Sequence, residues 1–541
     1  MALKKLWYGS INNIGWAAVV VGVASFISRF LGVFRDHILA GQFGAGDELD
    51  IYYAAFRVPD LIFNLLVLGA LSAGFIRIFV SLLNNYDEPA NNHDAWRFAD
   101  LVISSLIVIL LILSVVGIIL APQLLRLLTP GFSADKLATT VKLSRLMFLS
   151  PLLLGISGVV GGILQSFKNF FAYSLAPIFY NLGIITGALF LVPRFGLMGL
   201  AWGVVIGAAL HLLVQLPTLW RLGFRPKPLL DWHDQALKQI GRIMIPRTMG
   251  LAISQLNLVV MTILASALTS GSLAIFNLAN NLQSFPVGIF GLSFAIAAFP
   301  TISALVDQPD KLKANLTVTI RQTLFLVIPA TIIILALRAQ IIRVILGSGR
   351  FDWQDTILTM RTLSYFGLSI FAQSLTAILV RVFYAYKDSA TPFWISLLAA
   401  VVNIGLAWPW SRQLGVAGLA LAFSVSNIVN FILLWWALRR KGNILDNLTI
   451  GIGSLKMVLA AAIAWPAIFA AKRLIAPLVD MDTFWGITSQ LIGAATVGLA
   501  VYLFICLLLR CPEAKQLWQI VNRRLPGGHK TVVDADEARG I

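Results

Sequence analysis

Residues 28–36 read SRFLGVFRD and close an apolar run, IGWAAVVVGVASFI, of the length and character that enter a membrane. Arg29, Arg35 and Asp36 therefore stand where charge is costly. An arginine at the centre of a membrane helix costs about 2.5–3.5 kcal/mol on insertion scales unless it faces protein, water or a partner charge. On a helix, Arg29 and Asp36 share a face about 10 Å apart along the axis, with Arg35 turned roughly 100° from Asp36. Asp50 precedes the second apolar run, Arg57 lies just before Pro59, and Arg247 directly follows Pro246, while Arg145 and Arg381 fall inside later runs. One such arginine, taken alone, reads as a side chain snorkelling to an interface. Taken together, arginines from several spans are best accommodated around a shared water-filled cavity. Such a cationic cavity selects an anion of high charge, a phosphate or diphosphate, which guanidinium binds bidentately.

No catalytic constellation competes with that reading. The five histidines, His37, His93, His211, His233 and His529, are nowhere paired at metal-ligand spacing, and no phosphate-binding glycine loop is present. His211 alone lies within a span, where a polar helix contact is the expected use. Cys506 and Cys511, the two cysteines, form neither a disulfide framework nor a metal set and read as free thiols. The expected activity is movement of a substrate without enzymatic conversion, with no cofactor and no metal centre. Asn403 and Asn430 are the weak candidates for an ion site, a helix-to-helix hydrogen bond being the commoner use of such residues.

The elements that must position these charges are membrane helices. Of 541 residues 58% are hydrophobic and 12% charged, against about 25% charged in soluble domains. Allowing about 20 apolar residues per span, the chain holds about fourteen, near 14–38, 52–83, 97–121, 141–166, 171–192, 198–220, 238–268, 272–304, 316–338, 357–385, 391–409, 414–438, 452–474 and 485–509. The fold class is all-α and polytopic. The formal charge of +17 is dispersed among these runs, which argues against nucleic acid as a partner. With the N-terminus inside, cytoplasmic segments collect Lys4, Lys5, Arg221, Arg225, Lys227, Lys311, Lys313, Arg439, Arg440 and Lys441, whereas the connections at 39–50 and 269–271 hold neither Lys nor Arg. Both termini are thus expected in the cytoplasm. Arg338, Arg343 and Arg350 dissent and are expected on an interfacial amphipathic turn.

The chain also repeats itself. RVPDLIFNLLVLGAL (57–71) matches FPVGIFGLSFAIAAF (285–299), with Pro59 on Pro286 and Phe63 on Phe290, and FGLMGLAWGVV (195–205) matches LGVAGLALAFS (414–424). Six spans per half make parallel repeats related by an axis along the membrane normal, an architecture that alternates access by rocking one lobe against the other. The expected division is an N-terminal lobe at 1–225, a C-terminal lobe at 226–445, two extra spans at 446–510 and a cytoplasmic tail at 511–541. Pro59 and Pro286, at matching places, are the expected hinges.

SRFLGVFRDHILAGQFGAGDELD, AFRVPDLIFNLLVLGALSAGFI, SQLNLVV, LANNLQSFPVGIFG and YAYKDSATP together resemble the MurJ (MviN) family of bacterial lipid II flippases, well over spans 1–12 and loosely over 13–14. The resemblance implies the fold of the multidrug/oligosaccharidyl-lipid/polysaccharide exporter superfamily, with spans 13 and 14 forming a groove for a polyprenyl tail. It implies a flippase of the inner (cytoplasmic) membrane whose partners are membrane lipids and a lipid-linked peptidoglycan precursor. Arg29 and Arg35 would line the cavity that receives the diphosphate, and Asp50 and Arg57 match an acidic and a basic family position. The substrate-binding set so implied is Arg29, Arg35, Asp36, Asp50, Arg57 and Arg247. Family arginines are replaced here at Phe63 or Asn64 and at Asn281, and a family glutamate at Leu68. Two other functions stay open on these residues, export of another lipid-linked oligosaccharide and a non-transporting scaffold, as do two energy sources, Na+ or another ion and the membrane potential.

Overall fold

The computed structural model describes residues 14–83, 92–442 and 444–517; the side chains of residues 14–18, 68–73 and 243–247 lie outside that description. Every regular element among the described residues is helical. In chain order these are α1 (Ile14–Phe43), α2 (Asp47–Phe63), α3 (Gly69–Ser81), α4 (His93–Leu128), α5 (Ala134–Met147), α6 (Leu149–Ser166), α7 (Phe170–Thr186), α8 (Val192–Phe195), α9 (Met198–Leu213), α10 (Leu216–Arg221), α11 (Gln235–Ser266), α12 (Ser272–Pro286), α13 (Ser293–Ala304), α14 (Pro309–Ala336), α15 (Arg338–Ile345), α16 (Trp353–Gly367), α17 (Ile370–Ala385), α18 (Ala390–Leu414), α19 (Val416–Lys441), α20 (Asn447–Ile475) and α21 (Phe484–Leu508). A backbone in hydrocarbon must satisfy its own hydrogen bonds, and the helix does so within one segment.

Eleven of the described helical stretches are long and apolar enough to cross a membrane, or twelve if α16 and α17, bent by 42° at their junction, form one span. Two of the fourteen expected spans lie outside that count for a physical reason. The described part of α1 carries Arg29, Arg35 and Asp36, and α2 opens on Asp47, Glu48 and Asp50 and continues through Arg57 and Asp60. These are the charged helices of the bundle. α15 is the short turn expected to hold the dissenting arginines, with Arg338 and Arg343 on it and Arg350 beyond its end.

Three helices widen into single π turns, at Asn64–Leu68, Gly187–Leu191 and Val287–Leu292. The first follows Pro59 and the third directly follows Pro286. A proline removes one N–H from the ladder, and a π turn absorbs the local mismatch.

By packing, the chain divides into two compact units, one of residues 1–285, 342–369 and 389–430, the other of residues 286–341, 370–388 and 431–541. In the first unit α7 and α9 approach backbone to backbone: a Cβ on Gly183 would fall 2.2 Å from Gly207 Cα, and one on Gly187 would fall 2.4 Å from Gly203 Cα. Small residues four apart on both helices make this approach possible. An aromatic cluster of Phe75, Phe79, Trp96, Phe98, Phe167 and Phe224 packs the other side of that unit. In the second unit α14, α20 and α21 pack together, Gly498 facing Ile468, with the Tyr502 hydroxyl donating to the Phe325 carbonyl at 3.1 Å and Gln340 donating to Gln490 at 2.9 Å.

Candidate functional site: a polar cavity, an end latch and an apolar groove

The first unit encloses a cavity of about 410 Å³ between α1, α2, α6, α7, α9, α11 and α12. Its charged lining is Arg35 and Asp36 from α1 and Arg57 and Asp60 from α2, joined by Tyr52, Tyr53, Tyr180, His211, Asn277, Asn280 and Asn281. Two cations face two carboxylates, so the positive field is local.

Arg35 is committed within the chain. Its Nη2 donates to Asp36 Oδ1 at 2.8 Å and its Nη1 to Asn181 Oδ1 at 3.2 Å. Asn281, from α12, donates to the other Asp36 oxygen at 2.9 Å. Asn181 is itself held by donating to the carbonyls of Ser28 and Pro177, at 3.3 and 3.1 Å. Neighbours in sequence do not face each other on a helix; the Arg35 side chain is long enough to fold back across the 100° that separates it from Asp36. Arg57, which is buried, donates instead to neutral acceptors, Thr262 Oγ1 at 3.0 Å and Asn277 Oδ1 at 3.3 Å. Among the described residues no carboxylate is hydrogen-bonded to it, and Asp60 lies one turn further along the same helix. His211 makes the expected helix contact, its Nδ1 lying 2.7 Å from Ser157 Oγ.

At one end of the same unit a second cluster joins helix termini. Asp50, buried in the first turn of α2, accepts from the backbone N–H groups of Gly271 and Ala274 at 2.8 and 2.9 Å, capping the start of α12, and from Lys136 Nζ at 2.9 Å. Lys136 also pairs with Asp47, to which Ser270 donates at 2.6 Å. Arg350 pairs with Glu48 at 2.8 Å, and its N–H donates to the Gly41 carbonyl at 2.8 Å. Gly271, at φ +82°, is required here, since a Cβ would meet the Ala45 carbonyl oxygen. The hydrogen bond from Lys136, then that from Ser270, holds the Asp47 carboxyl below the ordinary carboxylate range. Burial pushes Asp50 up, against the pull of Lys136 and the two backbone donors.

The second unit carries a groove of about 920 Å³ whose walls are almost wholly apolar: Leu324 and Ile328 of α14, Phe371 of α17, Phe431 of α19, Ile450 and Trp465 of α20. Its polar rim includes Asn447, whose side-chain oxygen accepts from Trp435 Nε1 at 3.1 Å.

The residues singled out by sequence are thus distributed. Arg35, Asp36, Arg57 and Pro59 line the cavity, Asp50 lies in the end latch, and Arg29 is exposed on α1 away from the cavity lining. The side chain of Arg247 falls outside the described residues. Arg145 is exposed and donates to the Ile118 carbonyl. Asn403 donates to Asn257 at 2.7 Å, and the side-chain oxygens of Asn403 and Asn430 have no hydrogen-bond partner among the described residues. Sequence reading passed over Asp60, Lys136, Asn181, Asn277 and Asn280, and marked Asn281 only as the site of a replaced family arginine. The run NLANN at 277–281 was the available signal, because four-apart amides on an apolar helix share a face.

A bundle of apolar helices that encloses a polar, arginine-bearing cavity and carries a lipid-sized groove defines a multi-pass membrane transporter. The model of the lipid II flippase MurJ family matches residues 39–488, and the chain belongs to that family. The lipid II flippase MurJ of Burkholderia cenocepacia is 29% identical over 441 residues, 80% of this chain and 84% of the relative. A solved structure described as lipid II flippase MurJ in an inward closed conformation shares the fold at a TM-score of 0.75 and 23% identity, covering 91% of this chain and 99% of the other. An inward-facing multidrug transporter of the MATE family, from the MOP superfamily, shares it at 0.63 and 16% identity over 79% of this chain and 98% of its own. The protein is a flippase of a bacterial family, a transporter and not an enzyme.

Proposed function

We propose that this flippase carries undecaprenyl-diphosphate-linked peptidoglycan precursor from the inner to the outer leaflet of the cytoplasmic membrane, with the diphosphate received at Arg57 and Arg35 in the cavity. The observation that carries this assignment is Arg57: a buried guanidinium that, among the described residues, hydrogen-bonds the neutral side chains of Thr262 and Asn277 keeps donors available to an incoming anion. Arg35 is the second donor, released by exchange of Asp36 for phosphate oxygen. Asp36 and Asn281 hold it in place until then, and Arg29 and Arg247 are assigned to the path of the headgroup into the cavity.

The apolar groove of the second unit suits a polyprenyl chain, which gains about 0.8 kcal/mol per buried methylene over water and needs no polar partner. The lobes that rock are those of the repeat, 1–225 and 226–445, with the groove helices at 446–510 and Pro59 and Pro286 as hinges. The end latch built on Asp50 holds one face of the cavity closed in the state described. Both termini lie in the cytoplasm. The unpartnered oxygens of Asn403 and Asn430 suit a small cation, Na+ by preference, as an energy source alongside the membrane potential.

Reconstitution into vesicles tests the assignment. Arg57→Ala leaves Thr262 bonded to the Leu258 carbonyl and Asn277 to the Leu273 carbonyl, so folding is spared. A charge-assisted contact worth about 1.5–3 kcal/mol is lost, and flipping of a lipid-linked diphosphate sugar should fall by about tenfold or more. Wild-type flipping by this variant, at equal membrane levels, would remove the diphosphate from the cavity.

A further inference from the structure

Asp60 is the one charged group of the cavity that neither the fold nor the substrate assignment uses. It projects from α2 one turn beyond Arg57, yet among the described residues no lysine or arginine makes an ion pair with it, since Arg57 turns to Thr262 and Asn277. Its polar partner is the side-chain amide of Asn64, the first residue of the π turn. The groups that face it across the cavity are Arg35 and Asp36 of α1, Tyr52, Tyr53 and Arg57 of its own helix, Tyr180 of α7 and His211 of α9. Asp36 is paired with Arg35 and accepts from the Asn281 amide. Asp60 is left, among the described residues, with no cation hydrogen-bonded to it, only the field of Arg57 one turn back on its own helix, where a second anion is to be received.

We infer that Asp60 is a proton-binding site linked to the substrate, taking up one proton from water as the diphosphate enters and returning it when the headgroup leaves. With Asp60 ionised, the four charged groups of the lining cancel and a carboxylate repels the incoming phosphates at close range and low dielectric. With Asp60 protonated, the lining carries one net positive charge and the acid gains an O–H that can donate to a phosphate oxygen. The inference rests on the reading that the cavity receives the diphosphate. Linkage makes it reciprocal: whatever binds better to the protonated form raises proton affinity by the same factor.

The test uses the full-length protein in nanodiscs and a polyprenyl-diphosphate-linked N-acetyl sugar as probe. Both phosphates of that probe are substituted, so it has no group of its own titrating near neutrality. Wild-type affinity should fall about tenfold per pH unit once the pH passes the Asp60 value, because only the protonated fraction is competent. Asp60→Asn, which has the shape of the neutral acid, should bind with the low-pH affinity of the wild type at every pH. This variant also separates Asp60 from Asp36 and His211, the other acid and the imidazole of the lining. In weak buffer, wild type should take up as much as one proton per probe bound, and Asp60→Asn none. If Asp60→Asn keeps the wild-type pH profile, or if binding takes up no proton at any pH, the inference is wrong while the cavity reading stands, provided Arg57→Ala abolishes binding. If Arg57→Ala binds as well as wild type, the cavity reading itself fails.

Discussion

At the scale of residues, two arginines of one cavity play unequal structural parts. Among the described residues Arg57 hydrogen-bonds neutral partners, each with a bond of its own, whereas Arg35 is the cation hydrogen-bonded to the buried carboxylate of Asp36. Removing one member of a buried pair leaves the other charge exposed to its full desolvation cost, about 3–5 kcal/mol in measured cases. Arg35→Ala should therefore lower the thermal unfolding midpoint in detergent clearly, and Arg57→Ala should scarcely move it. Adding Asp36→Asn to Arg35→Ala should restore most of the midpoint without restoring flipping, since the introduced amide needs no cation and supplies none. Equal midpoints for the two single variants would show that Asp36 does not depend on Arg35. The charges themselves were legible in the sequence, because arginine and aspartate are too costly within an apolar run to stand there without a use. Their partners were not. Asn281 lies 245 residues from Asp36 and Asn181 lies 146 from Arg35, and nothing local in either stretch announces which charge it will meet.

At the scale of elements, composition and periodicity were enough for an all-helical membrane bundle, because apolar length is a local property; among the described residues eleven or twelve of the fourteen expected spans are long and apolar enough to cross. They could not show that α2 begins as a latch. Asp47 and Glu48 carry no local signal beyond an acidic first turn, favourable to any helix N-terminus, and Asp50 was expected at the substrate; the use of all three depends on Lys136, Ser270 and Arg350, brought in from three other stretches. The two carboxyls that meet Lys136 respond to pH in opposite senses. Asp47, held low, favours the closed arrangement above the ordinary carboxyl range and loses that contribution only in strong acid. Asp50, held high by burial, favours it when protonated, so its contribution is full in acid and is lost as pH rises from about 4 through its folded value. Lys136 offsets the second effect at neutral pH. Lys136→Met should lower the midpoint of unfolding less at about pH 5 than at about pH 8, where Asp50 ionises without a cation. A loss of the same size at both pH values would mean that Lys136 acts through packing over Phe132, whose ring its ammonium covers at 4.0 Å, and not through Asp50.

At the scale of the whole molecule, transport asks long helices to bend without coming apart, and the π turns supply the means. A π turn is in effect one residue inserted into an α-helix, with both flanks keeping their packing faces and one carbonyl left outside the ladder. The turns at Asn64–Leu68 and Val287–Leu292 each come shortly after one of the two prolines matched in the repeat, Pro59 and Pro286. The boundary between Phe285 and Pro286 is also where the two compact units divide. Deleting Ile289 should therefore close the helix from Pro286 to Ala304 into regular α-helix, with α13 still turning the same side chains toward its neighbours. Deleting a residue within α13 instead, such as Ala297, would rotate everything after it by about 100° and misplace its packing. The expected result is normal membrane levels and thermal stability for the Ile289 deletion but not for the Ala297 deletion. Because the cavity lining ends at Asn281, affinity for a lipid-linked diphosphate should survive in the Ile289 variant while its flipping rate falls at least about tenfold. Such a split between binding and movement is the signature of a hinge. Flipping at the wild-type rate by a stable Ile289 deletion would show that this helix moves as a rigid rod and that the bending needed for alternating access is supplied elsewhere in the bundle.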